Sequence, residues 1–114
     1  MKVVKDKISI AELQHMSEKM FGRLVKAVVD IEQNIMAVDA ELHADEEGFL
    51  LEEGSKQENL WGINILPDKY GQDDFIIFDS MMNIRPSQGN KSYGVNNPEI
   101  QGQIREIVNK LVTL

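Results

Sequence analysis

The apolar residues of this chain follow two rhythms, one near 3.6 and one of two, and the switches between them mark out its elements. Lys2–Lys5 reads as a short first strand. Ile10, Leu13, Met16, Met20 and Phe21 then recur at helical spacing, and Gly22 stands where such a helix would stop. The helix start is marked more fully. Ser9 and Glu12 have the spacing of a capping box, with Ile8 and Leu13 in the flanking apolar positions. A methionine-bearing stripe of this kind is core material more often than a binding groove.

From Leu24 the period drops to two. Leu24–Glu32 and Ile35–Leu42 are expected to form a hairpin about Gln33-Asn34, where Asn34 tolerates a positive φ. A two-residue turn sets Ile31 opposite Met36, Val29 opposite Val38, Ala27 opposite Ala40 and Val25 opposite Leu42, an all-apolar face. The other face then pairs Lys26 with Glu41 and Val28 with Asp39. Asp45–Glu53 follows as a short helix, with Asp45 as its N-cap and Gly54 at its end. Leu60–Leu66 and Phe75–Arg85 read as a second hairpin across Pro67-Asp68 and Tyr70-Gly71. The last helix, Pro98–Leu114, has Asn97 as cap, Pro98 in the first turn, and one stripe of Ile100, Ile104, Ile107, Val108, Leu111 and Leu114. Two hairpins, a first strand and three helices predict an α+β fold. The expected architecture is a mostly antiparallel sheet of about five strands, covered on one face by helices as a two-layer sandwich.

Composition narrows the function classes. A length of 114 residues suits one domain with its own core, so residues 1–114 are expected to fold as a unit. The net charge of −7 argues against general nucleic-acid binding, which needs a basic surface. With no cysteine there is no disulfide, thiolate metal site or cysteine nucleophile. The charged first residues are unlike a signal peptide and no apolar run reaches spanning length, so a cytoplasmic protein without membrane contact is expected.

Four runs carry a resemblance: Val-Val-Asp-Ile-Glu (28–32), Ile-Met-Ala-Val-Asp-Ala-Glu-Leu-His-Ala-Asp (35–45), Leu-Trp-Gly-Ile-Asn (60–64) and Asn-Ile-Arg-Pro-Ser-Gln-Gly-Asn (83–90). They are similar to those of a family of short prokaryotic proteins, a domain of unknown function, over nearly the whole chain. The resemblance implies a free-standing single domain and brings no catalytic residue or substrate.

Three constellations offer chemistry. Asp39-x-Glu41-x-His43-x-Asp45 would line one surface of an extended strand with metal-type ligands. Strand spacing nevertheless puts Asp39 and Asp45 about 20 Å apart, so at most Glu41 and His43 would share an ion, and no metal or cofactor is expected. The second constellation is the loop following Ser80. No acidic residue occurs from Ser80 through Pro98, while Arg85, Lys91, three serines and four asparagines do. Arg85 and Lys91 around Gly89 suggest a cradle for a small anion, although the glycine spacing is not that of a P-loop. The third is Trp61, a candidate anchor, with Asn64 and Asn83 in stretches that read as strands, where asparagine is disfavoured. A buried asparagine must be hydrogen-bonded, which directs attention to the mouth of the second hairpin.

The expected function is therefore a binding or interaction domain for a small anionic ligand or a protein partner. Its surface would be built from Asn83, Arg85, Ser87, Gln88 and Asn90, with Trp61 and His43 nearby. The alternative is a small phosphate-ester hydrolase or nuclease-like enzyme, with Arg85 stabilising charge and His43 as base or metal ligand. A homodimer is a third option, using some surface other than the charged Lys26–Asp39 face.

Overall fold

In the computed structural model, which describes residues 1–114, the period-two stretches become strands. These are β1 (Lys2–Val4), β2 (Ile8–Ser9), β3 (Val25–Asp30), β4 (Ile35–Val38), β5 (Leu60–Ile65), β6 (Ile76–Ile77) and β7 (Val112–Thr113). The period-3.6 stretches become helices α1 (Ile10–Ser17), α2 (His43–Glu52) and α3 (Pro98–Leu111). Five strands form one sheet in the order β1-β4-β3-β5-β6 with every neighbour antiparallel, while β2 and β7 pair in parallel as a small second sheet. The fold is α+β.

Alternation along β3 sends Val25, Ala27 and Val29 to the main core, where Leu13 and Met16 of α1 and Ile104, Val108 and Leu111 of α3 cover them. Val28 points the other way and joins Ala37, Leu60 and Leu50 of α2 in a smaller cluster. Helices thus lie on both faces of the sheet, so α2 adds a third layer to the expected two. Fully buried Leu50 is the main apolar anchor of α2 in that cluster, and such a side chain contributes about 2–3 kcal/mol. No helix is long and apolar enough to cross a membrane.

The first hairpin forms with its register two residues away and its apolar face as expected through Val38, while Ala40 and Leu42 fall beyond β4 and Leu42 is exposed. Val29 pairs with Met36 and Ala27 with Val38, because the connection is the four residues 31–34 rather than two. Asp30 causes this. Its buried carboxylate accepts the N–H groups of Glu32 and Gln33, the Gln33 amide and the Ser55 hydroxyl, while Asn34 at φ 59° donates back to the Asp30 carbonyl. A slip of two preserves the side-chain faces. It also removes the expected Lys26–Glu41 and Val28–Asp39 pairs: Lys26 faces Asn64, and Val28 faces Ala37 and Gly62.

β4 ends at Val38, where Asp39 takes a left-handed φ of 71° and turns the chain. Glu46 then folds back to accept the Ala40 N–H, and α2 begins at His43. Leu42 is the N-cap and Asp45 lies in the first turn, so the expected Asp45 cap is corrected. At the end of α1 the left-handed residue is Phe21 at φ 60°, and this side chain is 95% exposed instead of joining the stripe. Ser9 accepts the Glu12 N–H, but the Glu12 carboxylate binds Lys2, leaving the capping box half made. α3 starts at Pro98 with Asn97 accepting the Glu99 N–H, and ends before Val112, which turns away to pair with Ile8.

The second hairpin is the shortest-lived expectation. Only Ile76 and Ile77 of the Phe75–Arg85 run pair with β5. Ser80 then accepts the Met82 N–H and starts a 3-10 turn, and the chain leaves the strand path. Gly62 is what allows the close approach. A Cβ there would lie 2.7 Å from both Cβ and Oγ of Ser80 and 3.1 Å from Cγ of Met82. Gly62→Ala is accordingly expected to cost about 1–3 kcal/mol, read as a lowered melting temperature with an otherwise native spectrum.

Candidate functional site

The Ser80–Gly94 loop is built inward from its polar side chains. Asn83 is fully buried, and its amide does the work of a strand. The Gly62 N–H donates to Oδ1 at 2.8 Å, and Nδ2 donates to the Gly62 carbonyl at 2.9 Å and to the Tyr93 carbonyl at 2.9 Å. Arg85 comes next along the β5 edge, 8% exposed. Its Nε donates to the Met82 carbonyl and its Nη1 to the Gln57 carbonyl and the Gln88 side chain, while Nη2 donates to the Leu60 carbonyl. The guanidinium carbon lies 4.4 Å from the centre of the Trp61 ring, and Trp61 itself is 1% exposed. Burial lowers the guanidinium's pKa, with Glu47 as the opposing charge.

Asn90 closes the loop. Its Nδ2 donates to the carbonyls of Asn83 and Gly94, both at 2.8 Å, and its Oδ1 accepts the Asn96 N–H at 2.7 Å. Arg85 and Asn90 also bridge through their backbones, with a 3-10 turn over Pro86–Gln88 and Gly89 at φ 78° between them. Ser87, Gln88 and Lys91 face solvent. The acid-free composition of the loop thus has a structural cause: its donors answer backbone carbonyls that a carboxylate would repel.

His43 stands elsewhere. Its Nε2 is 2.7 Å from the Ile63 carbonyl, so that nitrogen carries the hydrogen and Nδ1 is the bare acceptor. Burial holds the imidazole below its ordinary pKa, which keeps it neutral. Arg85 and His43 take hold of β5 at Leu60 and Ile63, roughly 10 Å apart along the strand, and share no partner. The Asp39–Asp45 run is turn and helix start, so its side chains do not line one strand face. No three His, Asp or Glu side chains converge as metal ligands.

A second cluster surrounds His43. Lys26 and Asn64 are cross-strand neighbours on the sheet face beneath α2. Asn64 Nδ2 reaches the Asp79 carbonyl at 3.4 Å, while its Oδ1 is enclosed without a partner. One turn along α2 from His43, Glu46 is fully buried. Its Oε2 accepts the Ala40 N–H at 3.2 Å, its Oε1 has no partner, and burial pushes its pKa up to about 9. Perturbed acids and bases in one cluster are a recognised mark of functional sites. Sequence reasoning found His43 and Asn64 but missed Glu46 and Lys26. Glu46 sits among acids that read as a solvated helix start, and its inward face follows only from where α2 begins.

The family model for a protein of unknown function, DUF5674, matches residues 2–111. The chain belongs to the DUF5674 family. No curated protein and no solved structure matches it. Within this DUF5674 protein the two clusters adjoin, because Asp79 of the second directly precedes Ser80, which opens the loop of the first.

Proposed function

We propose that this protein is a binding module that engages a protein partner through the outward face of its Ser80–Tyr93 loop. The observation that carries the reading is the sorting of side chains within that loop. Asn83, Arg85 and Asn90 are buried and bonded to backbone, whereas Met81, Ile84 and Tyr93 are 75%, 40% and 52% exposed. Met81 and Ile84 are three apart on one 3-10 turn, where side chains eclipse. The Ser80 N–H bonds the Tyr93 carbonyl at 2.9 Å, which brings Tyr93 alongside. Large side chains held out by a rigid frame lose little freedom on binding, which favours them as anchors.

Charge selects the partner. Lys91 is exposed and no carboxylate lies between Ser80 and Pro98, so a partner presenting an apolar side chain beside an acidic one is complementary. A free anion held by Arg85 is the less supported form of the reading, because carbonyls and Gln88 already take its donors.

The test is affinity capture with wild type and with a Met81→Ser/Ile84→Ser/Tyr93→Ser variant, followed by titration of the purified partner. The variant is expected to melt within a few degrees of wild type, since exposed positions carry little stability. Its affinity for the captured partner should fall at least about tenfold, the loss of one modest anchor. An unchanged partner set and unchanged affinity would discard the proposal.

A further inference from the structure

The polar cluster under the start of α2 has a composition that the protein-binding loop does not use. Lys26 makes no ion pair and no hydrogen bond, and neither does the carboxylate of Asp79. Both charges act on His43, in opposite directions, so the imidazole lies under the influence of an ammonium and a carboxylate that do not meet each other. Beside it are two acceptors without donors: Nδ1 of His43, whose other nitrogen is spent on Ile63, and the enclosed Oδ1 of Asn64. The Lys26 charge also acts on the fully buried Glu46, whose Oε1 has no partner.

We propose that Lys26, His43, Asn64 and Asp79 form a binding site for a small zwitterion of the amino-acid type. The carboxylate of the ligand meets the Lys26 ammonium. Its ammonium group donates to His43 Nδ1 and the exposed Asp79 carboxylate, and Asn64 Oδ1, enclosed in the free protein, becomes a third acceptor when its amide turns toward the ligand. The opposed charges of Lys26 and Asp79 cancel, matching a ligand with no net charge. A phosphate ester fits poorly, since one lysine would face two negative charges with acceptors all around. A neutral imidazole is required for this role, because a protonated His43 would present a donor to the ligand's ammonium. Lys26, His43 and Asn64 are partly exposed and Asp79 is exposed, so solvent reaches the cluster, while Asn64 Oδ1 is enclosed until its side chain turns.

The experiment is a calorimetric titration of the full chain with each of the standard amino acids, paired with the ring resonances of His43. At least one amino acid is expected to bind and to shift those resonances, while lactate, lacking the ammonium, and ethylamine, lacking the carboxylate, do neither. Lys26→Ala and Asp79→Asn should each weaken binding by about tenfold to a hundredfold, the loss of one charge-assisted contact, and Lys26→Arg should recover most of it. Asp79 is exposed, so its variant tests the site even if Lys26→Ala folds poorly. Three results overturn the proposal: no amino acid binding at millimolar concentration, equal binding of lactate, or binding indifferent to both substitutions.

Discussion

Asn83→Ala is expected to lower the melting temperature by on the order of fifteen degrees. The substitution strips the partner from both the N–H and the carbonyl of Gly62, and takes one of two donors from the Tyr93 carbonyl, which keeps the Ser80 N–H, in a place where Asn83 is fully buried. Each buried polar group left unpaired costs about 1–3 kcal/mol, so the two Gly62 groups together with the weakened Tyr93 carbonyl come to about 3–5 kcal/mol. For a domain of this size about 1 kcal/mol moves the midpoint by roughly four degrees. Asn83→Asp separates polarity from volume. It keeps the acceptor for the Gly62 N–H but turns an oxygen toward two carbonyls, and it should destabilise at least as much as alanine. Melting points within two or three degrees of wild type for both variants would mean that the amide does not hold the loop to the sheet.

Stability is also expected to fall as pH rises from 7 to 9, and Glu46 is the cause. Its pKa is raised from 4.5 to about 9, first by burial, with Asp39 and Asp45 adding to the effect and the Ala40 N–H and Lys26 opposing it. Above pH 4.5 the unfolded chain has given up this proton while the native protein keeps it. Native binding therefore loses its advantage steadily, by about 1.4 kcal/mol per pH unit, until the folded carboxyl also ionises near 9. His43 shifts the other way, and its stabilising effect is already complete above its ordinary 6.5, so the range from 7 to 9 isolates Glu46. The expected loss across that range is about 2–3 kcal/mol. Glu46→Gln retains an acceptor for Ala40 and removes the titration, so its unfolding free energy should be nearly flat over the same range. Parallel profiles for the two proteins would exclude a buried neutral acid.

The parts of the fold legible in the sequence are those fixed by side-chain period and local capping. The stripe of α3 as far as Leu111 and its Asn97 cap came from spacing alone, as did the apolar face of the first hairpin as far as Val38, while Leu114 and Leu42, placed on the same stripes, are exposed. Features decided by single long-range hydrogen bonds escaped. The register of β3 and β4 depends on the Asp30 carboxylate, which reaches Ser55 at 2.7 Å across 25 residues of sequence. The start of α2 depends on Glu46 bending back to Ala40, and the loss of the long second strand depends on Asn83 finding Gly62. The oddity of asparagine in a strand-like run did mark the right residue, for a physical reason: a buried amide has to be answered, and here β5 answers it. Of Arg85, expected from the same loop to hold an anion, the structure shows donors taken by carbonyls and by Gln88. Nothing local in the sequence shows this, because two of those carbonyls come from Gln57 and Leu60, well before it in the chain.

A sheet edge that ends in bare backbone invites another chain to add a strand and so to seed fibrils. β6 is only two residues long and leaves the Leu60–Gly62 part of β5 without a strand on the side away from β3, beside the apolar Trp61 and Ile63. Asn83 and Arg85 fill those positions with side-chain donors and acceptors, which satisfy the backbone yet offer nothing for a further strand to copy. The loop is therefore a stopper against strand addition as well as a frame for its exposed residues, and the protection of that edge depends on two side chains that are themselves buried.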